Sequence, residues 1–570
     1  MPALLALAAF APMSPTLRAG FVYDDTTIIR DNAMLRGWTA LARVWGAPYW
    51  PTQGVDASGL YRPLHVALLA AVWNAGGGTP LLFHLYALAL YVVVALLVWH
   101  LLRQGVGALA ALAATLWFAT HPLHVEAVAS AANSSELLVV GWTIALTMVI
   151  RSEAPDDVRA RRAWARALLA GALTAAAVLS KESGLLALPL AALTAWGWRP
   201  STARRDGRAF LRTHRRLWLV GGAAIVAALL ARAAVLGAPV ARVSIAAPGL
   251  DALGPADRVV TMLSLWPRIA RMLLWPSELS PYYGPTILPS RRALLASLAV
   301  LAALALFTYA IRRARRGDGR PLVALGWVVL TYLPAANLLT ATGQIIADRT
   351  LFGATTGVAL AIGMIVDRAP RYARRLVLVL CALAIVRDAL ASTRYATAWS
   401  SHRTLWARLV ETSPAEYRGY QLLGIDAREH GDTTRALALL SRAYAMEPRD
   451  RRVRFEYGQV LYSTGRFAPA ADVLVPLLRD GDVRGEPGFV AMYLDAVGRS
   501  RGAEGVVAAG TPLLRGEAAV TAALYVGAAH EQLGRLAAAD SAYAMGLRAS
   551  PADSVLRARR ASVEQRATPR

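Results

Sequence analysis

The sequence predicts an all-α chain in two parts, a polytopic bundle of membrane-spanning helices followed by a superhelix of helix–turn–helix units. Three observations carry this. Apolar runs of about 15–22 residues recur through roughly the first 390 positions, close to the length a helix needs to cross a hydrocarbon core. Arginines crowd into the short loops between those runs, at 151–166, 199–216, 312–320 and 368–375. Beyond position 416 the long apolar runs stop, and a period of about 34 residues replaces them.

The arginine loops fix the order of the spans. Cytoplasmic loops carry an excess of basic residues, so those four loops are expected inside. About eleven helices satisfy this pattern, at roughly 3–18, 80–102, 107–120, 134–150, 166–179, 183–198, 217–236, 292–311, 321–339, 351–366 and 376–391. The first is apolar from Leu4 to Met13 with no basic stretch before it, which predicts a membrane helix rather than a cleaved signal peptide. The chain is expected to be a multi-pass inner-membrane protein, with everything after the last helix periplasmic. Its domains are then 1–395 in the membrane and 416–570 outside it.

Two connections are long. The outer loop 20–79 holds Trp38, Trp45, Tyr49, Trp50 and Tyr61, residues that favour the water–lipid interface. It can lie on the membrane over a lipid-linked substrate, with a short amphipathic helix at 37–46; simple interfacial anchoring is the plainer alternative and is compatible with it. The segment 238–290 mixes Arg258, Arg268 and Arg271 with apolar residues, and is expected to be interfacial or re-entrant.

The net charge of +24 does not point to nucleic acid, because it resides in the orienting loops and no nucleic-acid motif accompanies it. The single cysteine, Cys381, lies in an apolar run and excludes a disulfide framework or a cysteine-based metal site. Lys181 is the one lysine among 61 basic residues.

After the last apolar run come units at 417–450, from 451, at 485–519 and from 520, the third with a degraded pattern. Leu423-Gly424, Gly431 and Ala436 of the first unit return as Tyr457-Gly458, Gly465 and Ala470, and again as Val526-Gly527, Gly534 and Ala539. These spacings look like tetratricopeptide repeats, which stack into a superhelix and hold peptide segments in a groove. A purely structural role is the plainer alternative.

Five polar clusters in the membrane part all fall at helix ends on the predicted outer side. Charges at bilayer edges are costly, so they mark a site by default. Asp24 and Asp25 follow the first helix, and either carboxylate can accept a proton from a hydroxyl that attacks a sugar carbon. A solvated loop pair is the bland alternative. His121, His124 and Glu126 follow the third helix and can bind a metal, orient a base or hold a phosphate. A divalent cation is possible there, but it would need further oxygen ligands. Arg62, Lys181 and Arg349 can together clamp a phosphate. Glu182 beside Lys181 and Asp348 beside Arg349 leave simple ion pairing as the alternative.

The ordered set of motifs resembles a known family, the transmembrane and tetratricopeptide-repeat-containing O-mannosyltransferases of the GT-C glycosyltransferase superfamily. The matching stretches are Tyr23-Asp24-Asp25 with Asn32, Tyr61-Arg62-Pro63-Leu64, and His121-Pro122-Leu123-His124-Val125-Glu126-Ala127-Val128. Leu179-Ser180-Lys181-Glu182-Ser183-Gly184, Trp275-Pro276-Ser277-Glu278-Leu279-Ser280 and Ala347-Asp348-Arg349-Thr350-Leu351-Phe352 complete it. The resemblance implies a GT-C-like membrane domain and an inverting enzyme with an outward-facing site. It implies a polyprenyl-phosphate-linked donor sugar, mannose being expected, and protein serine or threonine hydroxyls as acceptors. By the same similarity an acid of the Asp24-Asp25 pair is the base, Glu126 the second acidic position and Arg349 a contact to the donor phosphate, with Arg62, His121, His124, Lys181 and Glu182 around it.

The alternative function is a non-catalytic membrane-anchored scaffold whose repeats recruit extracytoplasmic proteins. It would be indifferent to the five clusters. A transporter would need charges in mid-helix, and here they sit at helix ends.

Overall fold

The computed structural model describes residues 1–50, 59–152, 159–199, 207–238, 246–479 and 486–567. Parts of the outer loop, of two arginine loops, of the 238–290 segment and of the 485–519 repeat therefore lie outside the described residues. Among the described residues the chain is helical, with no strand. It forms two compact units, Met1–Thr412 and Ser413–Arg570.

All eleven apolar segments of the first unit are helical. Among the described residues seven helices are long and apolar enough to cross a bilayer, and eight if the bent pair Ala108–Thr120 and Pro122–Ala129 counts as one. This is a multi-pass membrane chain. The remaining segments, Pro2–Met13, Ala187–Gly197 and Arg320–Tyr332, are shorter helices. Burial separates centre from rim. The spans Ala131–Arg151 and Asp348–Arg368 are 72% buried, whereas Arg292–Arg315 and Arg371–Ala398 are 11% buried and present apolar faces outward. A lipid-facing helix has that surface.

The first long loop has more structure than its polar residues suggest. Residues 40–46 make short helical turns, near the amphipathic stretch read from the sequence, and Pro63–Gly76 is a full helix. Pro63 opens that helix with the fixed φ that a first helical residue needs. Ile28, Ile29, Leu35, Val44, Tyr49, Val66 and Leu69 form a small core beneath it. In the 246–290 stretch, Pro255–Ser264 and Trp266–Leu274 are short helices, and Arg258 donates to the carbonyls of Asn337 and Leu339.

The helix ends sort by charge. At one end Asp318 takes Arg313 at 3.2 Å and Arg320 at 2.9 Å, and pairs closely with Arg368. Arg320 also donates to Gly105 O, and Arg151 donates to Gln104. The arginine-rich turns thus meet each other there. Three of the polar clusters, after Thr120, after Ser180 and before Phe352, lie at the opposite ends of helices that begin or finish beside these turns.

The second unit is a stack of helix pairs. Tyr417–Glu429 packs on Thr433–Met446, Arg451–Ser463 on Phe467–Leu474, and Ala519–Gln532 on Leu536–Ala549. Each of these turns carries a left-handed glycine, Gly431, Gly465 or Gly534, with φ between 72° and 78°. A β-carbon disfavours that conformation, so the period-34 glycine marks the turn. In the degraded unit the helix Pro487–Gly510 breaks at Gly502, φ 68°. Ser554–Ala567 closes the stack.

Candidate active site

Each cluster owes its place to a local break in a helix. Ser180 ends a span, Lys181 is extended, and Glu182 opens a tight turn. A side chain at Gly184 would come within 2.1 Å of Ala177 O, so only glycine lets the turn fold back on its own helix. Asp348 and Arg349 form a single turn before Phe352–Arg368. Glu126 sits on the short helix Val125–Ala129 beyond the bend after Thr120. Arg62 precedes the helix opened by Pro63.

These turns meet. Arg349 is the hub: its amide donates to Glu126 at 2.8 Å, its guanidinium pairs closely with the same carboxylate, and Nη2 donates to Gln344 at 3.0 Å. From there Nη2 reaches to 3.8 Å from Asp24 Oδ2. Arg62 pairs with Glu182 at 2.8 Å and lies over the Tyr49 ring at 4.6 Å. Lys181 pairs closely with Glu136. Arg349, Arg62 and Lys181 all act on the Asp24 carboxylate, and Asn133 hydrogen-bonds it.

The two aspartates differ. Asp25 is buried and committed: Ser130 Oγ donates to it at 2.8 Å, Ala132 N at 2.9 Å and Ala131 N at 3.2 Å. It fastens the 26–30 segment to the turn that begins the 135–151 helix. Burial pushes its carboxyl up to about 7 against the pull of those three donors. Asp24 keeps a side chain 20% exposed, against 1% for Glu126, and its nearest cation stands 3.8 Å off. Burial raises its carboxyl above the usual range, and Arg349, Arg62 and Lys181 draw it back. Burial lowers Lys181, with Glu136 opposing. Burial would raise Glu182, but Arg62 outweighs it and the group ends lowered.

The histidines do not join this charged cluster. Both are buried. His121 bonds Leu273 O through Nε2 at 3.2 Å and accepts the Leu123 amide on Nδ1. His124 lies between Tyr91 OH and Thr355 Oγ1, both at 2.8 Å. Thr355 gives its own hydroxyl proton to Phe352 O, so it accepts from Nε2–H, while Tyr91 OH also donates to Ala119 O at 2.9 Å and stands in contact with Nδ1. Each ring is taken up by partners on other segments, His121 by Leu273 O and the Leu123 amide and His124 by Tyr91 and Thr355, and so ties helices together. Among the described residues no group of three or more His, Cys, Asp or Glu side chains converges. The acids are taken up by cations, hydroxyls and amides, a donor set that does not fit a hard cation needing about six oxygens.

Several contributors carried no motif. Arg232, inside the Arg215–Leu236 span, is buried, lies 3.6 Å from Glu182 and donates to Gly59 O. An arginine in an apolar run was the available signal. Tyr283 and Tyr395 donate to Asp348 at 2.6 and 3.0 Å, and Ser280 N–H donates to Tyr283. The Trp275–Ser280 motif thus acts on the site through a tyrosine three residues past its end. Asn32 caps its own turn, accepting from Met34 N at 2.9 Å.

With this geometry in hand, known proteins give it a context. A tetratricopeptide-repeat family model matches residues 427–484. The chain is 26% identical over 464 residues to the protein O-mannosyl-transferase Tmtc1 of Drosophila melanogaster, covering 66% of this chain and 53% of that one. It is 24% identical over 486 residues to the protein O-mannosyl-transferase TMTC3 of Homo sapiens, covering 80% and 52%. The resemblance read from the motifs is borne out by these relatives. The chain spans about half the length of the curated relatives it matches. Among solved structures, the apo crystal structure of the Archaeoglobus fulgidus oligosaccharyltransferase aligns with 74% of this chain and 59% of its own, at TM-score 0.39 and 14% identity.

Proposed function

We propose that this chain is an inverting glycosyltransferase that moves a sugar, mannose in the first instance, from a polyprenyl-phosphate carrier to a protein serine or threonine hydroxyl. Asp24 is the base. The observation that carries this reading is the contrast at the Asp24-Asp25 corner. Asp25 is committed to three donors, while Asp24 stays partly exposed among three cations. The relatives named protein O-mannosyl-transferases support the same reaction class.

The acceptor hydroxyl gives its proton to the Asp24 carboxylate as its oxygen bonds the anomeric carbon. The carbon–oxygen bond to phosphate breaks on the opposite face, and its electron pair leaves with the polyprenyl phosphate. That phosphate passes from one negative charge toward two. Cations fixed beside it stabilise the transition state more than the bound donor, which is what accelerates a reaction. Arg349 is the first candidate contact, with Arg62, Lys181 and Arg232 behind it. Glu126 holds Arg349 in place. Glu182 and Glu136 hold the other cations until an anion arrives. The histidines brace the bundle beneath.

In the same proposal the site end of the bundle and the repeats are extracytoplasmic, because the arginine-rich turns gather at the other end. The repeats present acceptor polypeptide.

The test uses purified protein in lipid nanodiscs, polyprenyl-phosphate mannose labelled in the sugar, and a serine/threonine-rich peptide. Label should pass to the peptide from the lipid donor and not from a nucleotide sugar. Transfer that survives in full in Asp24→Asn, or that needs only the nucleotide sugar, sinks the reading.

A further inference from the structure

We propose that His402 is a positioning residue for the candidate base. Its neutral ring accepts the Tyr23 amide and so holds the turn that aims Asp24 into the cleft. This rests on the reading of Asp24 as the base.

Tyr23 has φ +60°, in the left-handed region that a side chain with a β-carbon resists. It is one of two non-glycine residues with positive φ among the described residues, the other being Asn337. Such a conformation persists only where its surroundings impose it. Here they do. The Tyr23 N–H donates to His402 Nε2 at 3.0 Å. The Tyr23 ring meets Trp406 edge-on at 5.4 Å and Trp399 at 6.3 Å, and both tryptophans are buried. The His402 ring lies parallel to Trp406 one helical turn on, 4° between planes with centroids 6.3 Å apart. Gly20 N–H adds a bond to Ser400 O at 3.2 Å.

Asp24 therefore sits between two anchors. On one side Tyr23 is fastened to the 399–406 segment, and on the other Asp25 is fastened to Ser130, Ala131 and Ala132. Asp24 itself has no close ion pair: Arg349 stands 3.8 Å off, Arg62 and Lys181 act on it through their charge, and Asn133 is its hydrogen-bond partner. Its direction is set by the backbone on either side. A base must stand within hydrogen-bond reach of the proton it takes, and a displacement of about 1 Å costs roughly a hundredfold in rate. The contact spans 379 positions of sequence, and no motif marks its far end.

The test compares three replacements in the full-length protein. His402→Gln keeps an acceptor near the place of Nε2. His402→Met has similar length without one, and His402→Phe keeps the ring on Trp406 without one. Asp24→Asn is assayed in parallel with the lipid-linked donor and peptide. The expected result is a fall in kcat of about 10–100-fold in the Met and Phe variants, with KM for the donor within about twofold, and near-normal kcat in the Gln variant. Equal rates for Gln and Met overturn the proposal, because the acceptor atom then does not matter. Normal rates for Phe with a slow Gln variant overturn it too, since ring packing then suffices. Full activity of Asp24→Asn removes the base reading and this inference with it. An inactive Asp24→Asn beside equal Gln and Met variants removes the inference alone. Should the apolar variants fail to fold, hydrogen exchange in the unaltered protein decides. The Tyr23 amide should exchange at least about 100-fold slower than an unbonded amide, and exchange at the free rate overturns the proposal.

Discussion

Two ion pairs, one in the membrane unit and one in the repeat unit, show the same chemistry in opposite settings. Arg349 and Glu126 pair with side chains 12% and 1% exposed. In the repeats Arg535 and Glu504 pair with side chains 48% and 61% exposed, and Arg501 and Asp472 likewise lie at the surface. Water screens the second kind, which contributes little. The first kind sits where an unpaired charge is costly, and a buried ion pair is weak evidence of added stability. Buried pairing also marks where one unit concentrates its polar groups. The cleft joins residues from five separate breaks in the bundle, whereas the repeats spread theirs along a regular stack.

The largest test of this contrast lies within one dipeptide. Asp24→Asn should lower kcat by about 10²–10⁴-fold, the usual loss for a removed base, and leave the thermal midpoint in detergent unchanged. Asp25→Asn should do the reverse in kind. Its amide nitrogen would face donors where an acceptor oxygen now stands, so the midpoint should fall. A stable Asp25→Asn protein with no activity would exchange the two roles. The pH profile sharpens the assignment. Burial raises the Asp24 carboxyl, and only its ionised form takes a proton. The acid limb of kcat/KM should therefore lie above the pH at which an exposed aspartate titrates. A limb at the ordinary carboxylate position would contradict that environment.

The second test breaks the buried pair. Arg349→Gln leaves the Glu126 carboxylate buried beside a neutral group, a loss of about 3–5 kcal/mol. Adding Glu126→Gln should recover most of the folding free energy and none of the transfer. Recovered transfer in the double variant would mean that Arg349 serves only to satisfy Glu126, and never meets the donor phosphate.

The two units also differ in how far the sequence exposes them. The repeats are legible because their partners are near: Tyr417 bonds Asp450 and Tyr462 bonds Asp495, each 33 positions apart, about one repeat. A period shows such contacts directly. The degraded third unit was still readable by length, and its turn survives as the break at Gly502. In the membrane unit the helices were legible from apolar runs, although three of the eleven segments are too short by length and composition to count as spans. Asp24, Arg62, Glu126, Lys181, Glu182 and Arg349 were legible as charges at helix ends. Which of them touch was not, since Arg349 meets Glu126 across 223 positions and Arg62 meets Glu182 across 120. The histidines looked like ligands in the sequence because burial is invisible there. Arg232, Tyr283 and His402 escaped notice because each lies outside the sequence motifs, far along the chain from the residue it meets.

A third test separates the work of the two units. Ending the chain after Thr412 removes the repeats. In a protein that still inserts and is monodisperse, transfer to a short peptide at saturating concentration should persist. Transfer to an extended protein acceptor should fall by roughly tenfold, because tethering no longer raises its effective concentration. Equal loss on both acceptors would make the repeats structural.

The smallest effect returns to the ion pairs. A double-mutant cycle on Arg535→Gln and Glu504→Gln should give a coupling energy of about 0.2–1 kcal/mol, read from unfolding of the full chain. Half a molar salt should erase most of it, because the Debye length shrinks to a few ångströms, about the separation of the charges. The same cycle on Arg349 and Glu126 should give several times more and respond little to salt, since the pair is shielded from ions by the bundle around it. Equal coupling in the two cycles would show that water reaches the Arg349–Glu126 pair as freely as it reaches the repeats. In that case the cleft could not hold a raised Asp24, and the acid limb of the pH profile would move back to the ordinary carboxylate range with it.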